Sequence, residues 1–303
     1  MPAATSSSAT STAVDLSRLP PPDVVEALDY ETIFAAMLAK FQAAYADFDA
    51  LVESDPVFKV LEVAAYEVLT LRQRVNEAAR ACMIAYSLGG DLDNLAAIFG
   101  VTRLEVTPAD AETGAPAVME SDAALRRRVL LAPDSYSVAG PTAAYIYQAL
   151  SASGEVRDAT AISPSPGEVL VTVLSTEGDG TPSAALLAAV EDAVAGDAVR
   201  PLTDQVTVQA AAIVPVAITA QLTLFPGPDS ALVLQTALAN LDELIADNRR
   251  LGRDVTRSAL FAALHVAGVN NVTLTAPAED IALDDTQAWN VTAIDVTIAG
   301  AGA

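Results

Sequence analysis

The chain has 303 residues, enough for two or three domains of ordinary size rather than one compact fold. Hydrophobic residues make up 52% and aromatics only 5%, a soluble and alanine-rich composition; the longest apolar stretch, Ala210 to Ala220, is broken by Pro215 and falls short of the ~20 residues a membrane-spanning helix needs. With 39 Asp and Glu against 16 Lys and Arg the net charge is −23, which excludes a broad grip on nucleic acid and serves either solubility or an acidic face for basic partners.

The N-terminus has neither a basic region nor an apolar block, so it does not read as a secretory signal, and the protein is expected to be made in the cytoplasm. Cys82 is the only cysteine, which rules out an intramolecular disulfide and a cysteine-built metal centre. Residues 1–22, rich in Ser, Thr and Ala and ending in Pro20-Pro21-Pro22, read as an extended or disordered arm. From Asp29 onward Ile33, Phe34, Met37, Leu38, Phe41, Tyr45 and Phe48 recur three or four apart and form one stripe of a helix whose polar face carries Lys40 and Asp47. Asp55-Pro56 then supplies an N-cap and a first-turn proline for a second helix.

In this second helix Val57, Leu61, Ala64, Val68, Leu71, Val75, Ala78, Cys82 and Ala85 alternate in steps of four and three. That is a heptad-like seam sustained over about four heptads. Gly89-Gly90 is expected to end it, giving a rod from Pro56 to Leu88 of about 50 Å, with Asp91 capping a short helix through Phe99. The seam is covered either by the first helix, as an intrachain hairpin, or by helices of other chains. Arg72, Asn76 and Arg80 line up at intervals of four along the same helix, either as a solvated face or as an interface stripe, where arginine is favoured for rigid bidentate contacts. Leu61, Val68, Leu71, Arg72, Val75, Asn76 and Arg80 are therefore the candidate partner-binding residues.

Beyond Val106 the texture changes to shorter helices and Val- and Thr-rich strands. Helices are expected at Asp122 to Leu131, Pro141 to Ala152 and Pro182 to Ala195, and strands at Val156 to Ile162, Val169 to Leu174 and Gln205 to Ala210. A third block follows, with strands at Ile213 to Phe225, Val269 to Thr275 and Val291 to Ile298 and helices at Ser230 to Ile245 and Thr256 to Val266. Both blocks contain a helix-Gly-strand junction, at Gly154 and at Gly268. The fold class is α+β multidomain: an arm (1–22), a helical bundle region built on the long helix (23–105), and two small α+β domains with open sheets (106–211 and 212–303).

Recognisable chemistry is missing. His265 stands alone beside Leu260, Phe261 and Leu264 and reads as structural; Cys82 sits on the apolar seam and reads as a small buried thiol. No hydrolase, nucleotide-binding, zincin or EF-hand signature occurs. The carboxylates at Asp91, Asp93, Glu279, Asp280, Asp284 and Asp285 read as turns and caps, and Arg126-Arg127-Arg128 reads as a solvated helix face balanced by Glu120 and Asp122. No catalytic, metal or cofactor site is expected.

The segments RQRVNEAARA from Arg72 and GGDLDNLAAIFGVTRL from Gly89 resemble the baseplate J proteins of contractile-tailed temperate phages. So do LPPPDVVEALDYETI near the N-terminus, VTPAD at Val106, VMESDAALRRRV at Val118, SVAGPTAAY at Ser137, RDATAISPSPGEVLVTVLS at Arg157, DAVRPLTDQVTVQAA at Asp197 and RLGRDVTRSALFAALHVAGV at Arg250. The segments are colinear from Leu19 to about Thr286. The resemblance implies a structural wedge subunit of a virion or tailocin tail baseplate. Its helical part would join other wedge subunits and its C-terminal part a further copy of itself; charge, hydropathy and the missing motifs add the expectation of no nucleic acid, no membrane insertion and no cofactor. An envelope-acting carboxylate enzyme and a host-receptor binding protein are the competing readings.

Overall fold

A computed structural model of the protein describes residues 20, 22, 24–46, 52–137, 139–196, 199–227 and 229–301. The expected arm lies outside them except for Pro20 and Pro22, as do Asp47 and Phe48 of the first stripe. The described residues divide into two compact units, one up to Thr102 and one from Arg103 onward.

In the first unit α1 (Tyr30–Ala44) starts at Asp29, whose Oδ2 accepts the N–H of Thr32 at 2.8 Å and its hydroxyl at 2.6 Å. Helix α2 (Pro56–Ala81) starts as the sequence predicts, with Asp55 Oδ1 accepting the N–H of Val57 at 2.7 Å and Pro56 in the first turn. Phe34 meets Phe58 edge to face with ring centroids 4.9 Å apart, and the Tyr30 hydroxyl reaches the Glu62 carbonyl at 3.5 Å. Residues advance along α1 as they retreat along α2, so the two helices are antiparallel.

The rod is shorter than expected. Helix α2 ends at Ala81 after 26 residues, about 39 Å. The ladder gives way to turns in which Met83 N–H donates to Arg80 O at 3.0 Å and Tyr86 N–H to Met83 O at 3.0 Å. Gly89-Gly90 does not stop α2; it opens α3 (Gly89–Ile98), and Leu88, not Asp91, occupies the cap position. Asp91 lies in the first turn, where a negative charge suits the helix's positive end. Gly100, at φ +71, closes α3: Val101 N–H donates to Ala96 O and Gly100 N–H to Ala97 O, the two bonds of a Schellman motif.

The second unit opens with a short hairpin that the sequence reading missed, β1 (Glu105–Thr107) and β2 (Val118–Met119). Helix α4 (Asp122–Leu131), a 3-10 turn over Ala132–Tyr136 and α5 (Thr142–Ala152) follow. Next come β3 (Val156–Ile162), β4 (Glu168–Ser175), α6 (Ala184–Val194) and β5 (Gln205–Ala210). The sheet order is β3-β4-β5, antiparallel then parallel, and Tyr145, Ala149, Leu186 and Val190 pack on Val171 and Val173.

The third sheet is centred on β6 (Ala212–Leu224), with β7 (Val269–Ala276) antiparallel on one side and β8 (Gln287–Ala301) parallel on the other. Helices α7 (Ser230–Asn248) and α8 (Arg257–Leu264) contribute Leu241 and Leu260 to a core with Ile218, Leu222 and Trp289. The two sheets share one plan. A central strand leads into a helix (β4-α6, β6-α7), and a helix-Gly-strand unit supplies the antiparallel neighbour (α5-β3, α8-β7). The last strand pairs in parallel in both (β5, β8), and only the order of the first two parts is exchanged.

Ala211 alone separates β5 from β6, and the two sheets meet over a buried cluster of Leu174, Ala211, Leu251 and Ala288. Asp158, 3% exposed, crosses this boundary: its Oδ1 accepts from Arg127 at 2.5 Å and its Oδ2 from the N–H of Leu251 at 3.0 Å. Arg128 is buried and pairs with Glu120. The expectation of a solvated Arg126-Arg127-Arg128 face is therefore corrected, because Asp158, 31 residues away from Arg127, takes up one of those charges and buried Glu120 another.

Candidate interaction surface

Helix α2 carries apolar residues on two sides. One side packs within the chain, where Ala65 is fully buried and Asn76 is 7% exposed. At 100° per residue, Val60, Leu71 and Ala78 lie within about 20° of one another on the opposite side, flanked by Val63 and Val75 at about 60°. Val60 is 67% exposed, Leu71 62% and Val75 60%, and Val63 and Tyr66 are open to a similar degree. Leu61 and Val68 fall between the two sides and are half-buried. The heptad seam is thus half covered at its N-terminal end and open along its C-terminal half.

The arginine stripe resolves into separate roles. Asn76 Nδ2 donates to Glu26 O at 2.9 Å while Glu26 N–H donates to Asn76 Oδ1 at 3.0 Å, so one side-chain amide satisfies a whole backbone position. Arg72 reaches Glu26 Oε2 at 3.2 Å with both side chains more than half exposed, a pairing worth at most about 1 kcal/mol. Arg80 is exposed in the last turn, where a cation suits the helix's negative end. The structure brings Arg72 and Asn76 together with Glu26, which the sequence reading did not single out. Val60, Val63 and Tyr66 were missed as well, because they fall off a seven-residue repeat. A period of 3.6 residues places Val60 and Val63 beside Leu71.

The residues weighed for chemistry are dispersed. Among the described residues no three His, Cys, Asp or Glu side chains come together as a metal set. His265 is the exposed C-cap of α8, its N–H donating to Phe261 O at 2.9 Å. Cys82 is exposed at the C-cap of α2, correcting the buried thiol expected on a longer helix. Asp284 Oδ1 accepts from the N–H of Thr286 at 2.8 Å and from its hydroxyl at 2.6 Å, and Asp280 accepts the N–H of Arg257 at 2.7 Å. The buried Tyr145 donates to Asp204 at 2.8 Å; burial, then that bond, pushes its pKa up.

Comparison with known proteins assigns most of this chain. Residues 53–110 match the baseplate J-like N-terminal domain, residues 137–210 the baseplate J-like central domain, and residues 216–297 the baseplate J-like protein C-terminal domain. Baseplate protein J of Escherichia phage P2 is 47% identical over 296 residues, which cover 95% of this chain and 98% of that protein.

Proposed function

This chain belongs to the baseplate J-like family, and from that premise we propose that it is a non-enzymatic baseplate wedge subunit whose helical part joins other wedge subunits and whose C-terminal part associates with further copies of itself. Its place is the virion tail baseplate, with synthesis in the host cytoplasm. The proposed division is an arm at 1–22, a helical part at 23–105, and α+β domains at 106–211 and 212–303.

The observation that carries the wedge reading is the open apolar side of α2. Val60, Val63, Leu71 and Val75 leave a stripe exposed on a helix whose other side is already covered. Apolar surface removed from water contributes about 25 cal/mol per Å², so such a stripe favours a helical partner. Leu71, Val75, Leu61 and Val68 are assigned to that contact, with Arg80 at its edge and Arg72 and Asn76 securing the segment that precedes α1. No helix among the described residues is long and apolar enough to cross a membrane.

Low-dose imaging of assembled particles with this subunit labelled tests the assignment. Label in the wedges around the baseplate hub is the expected result. Label confined to receptor-contacting fibres would instead favour the host-receptor reading.

A further inference from the structure

In the second unit a cavity of about 380 Å³ opens between α4, the α5–β3 junction and the C-terminal end of α7. Arg127, Arg128, Arg157 and Arg250 reach its wall against two carboxylates, Glu120 and Asp247. That reverses the balance of a chain in which acidic residues outnumber basic ones by 39 to 16. Two of the four arginines are neutralised, Arg128 by Glu120 and Arg127 by Asp158.

The other two form no direct ion pair with a carboxylate among the described residues. Arg157 directs Nε to Arg249 O at 2.9 Å and Nη2 to Ala246 O at 2.8 Å, which are carbonyl groups without a full charge. The guanidinium of Arg250 makes no hydrogen bond to a carboxylate among the described residues, and the residue is exposed. Partial desolvation, then neighbouring arginines, lowers the pKa of both, with Asp158 opposing at each and Asp247 opposing at Arg250. Val106, Met119, Ala123 and Leu150 make part of the wall apolar.

We propose that this cavity binds an acidic peptide segment of another protein chain, a carboxylate seated between Arg157 and Arg250 and an adjacent apolar side chain against Met119 and Leu150. The volume lies within the ordinary range for a ligand pocket, about 300–1,000 Å³. Guanidinium groups pair with carboxylates through charge-assisted, often bidentate bonds, and the apolar wall has nothing to offer a sugar-phosphate backbone. The net charge of −23 further disfavours a polyanion.

The full-length protein is titrated calorimetrically with an acetylated and amidated Ala-Leu-Glu-Leu-Ala peptide, its Gln counterpart, inorganic phosphate and single-stranded DNA. The Glu peptide binds, the Gln peptide binds about tenfold more weakly or less, and raising the salt weakens the Glu peptide. Arg250→Ala weakens the Glu peptide by a similar factor without moving the urea midpoint; Arg250→Gln serves if the alanine variant does not fold. Equal binding of the two peptides, no binding of either, preference for phosphate or DNA, or undiminished binding by the folded variant would each overturn the proposal.

Discussion

Asn76 and Glu26, fifty residues apart, exchange two hydrogen bonds, so that a side-chain amide on α2 holds the backbone of the segment entering α1. Asn76→Ala should remove the side-chain partner of the Glu26 N–H and C=O in two partly buried bonds, at a cost of about 1–3 kcal/mol. Asn76→Asp should be no better, since it loses the donor and sets an acceptor against Glu26 O. Arg72→Ala, which removes only an exposed ion pair, should cost about 1 kcal/mol or less. Hydrogen exchange at the Glu26 amide distinguishes the two: protection is lost in the first pair of variants and kept in the third.

Asp158→Ala should be among the more damaging single changes in the second unit. It strips a carboxylate from Arg127 and from the N–H groups of Ala159 and Leu251, the last of which follows the C-terminal end of α7. Arg127, 30% exposed, stays partly solvated, whereas each buried N–H group left without its acceptor costs about 1–3 kcal/mol. The urea midpoint should fall accordingly, and loss of a single cooperative transition would follow if the two sheets then melt separately.

Gly154 is fixed by a close approach rather than by a ligand. A Cβ there would lie 2.6 Å from the carbonyl oxygen of Glu105, a backbone atom that cannot swing aside. Gly154→Val should destabilise the second unit by about 1–3 kcal/mol. Gly140→Val should act similarly, through its φ of +70 and a 2.7 Å contact with Pro201. Thermal denaturation measures both, and an unchanged midpoint for either would contradict the packing described.

The second unit should also be separable, and where it is cut matters. Arg103 donates to Glu120 O at 2.7 Å and to Asp122 at 2.7 Å, and Leu104 N–H donates to Glu120 Oε1 at 3.0 Å. A fragment starting at Arg103 should fold with a sharp urea transition. One starting at Val106 loses these bonds and should be less stable by about 1–3 kcal/mol. Equal stability would place the boundary further downstream.

Local signals made much of the architecture legible. The expected spans of α4, β3 and β5 coincide with the observed Asp122–Leu131, Val156–Ile162 and Gln205–Ala210. Asp55 announces its helix because a cap bond needs only neighbouring residues. The end of α2 was not legible, since Cys82 and Ala85 keep the apolar spacing while the backbone has already turned. Nor were the partners of Arg127 and Asn76, 31 and 50 residues away. Charge spacing along one helix reports which side chains are neighbours there, not what packs against them. The open side of α2 was half visible: Leu71 and Val75 fit the seam, whereas Val60 and Val63 emerge only when the covered side is known.

The most direct test of the wedge assignment is co-purification of partner baseplate subunits with Leu71→Asp. Leu71 is 62% exposed, so the isolated protein should lose no more than about 0.5 kcal/mol of stability and keep its circular dichroism. An unpaired charge buried in a helix–helix contact costs several kcal/mol as an order of magnitude, so partner subunits should no longer co-purify and baseplates should fail to form. Wild-type recovery of partners with this variant would contradict the assignment and leave α2 as an intrachain prop.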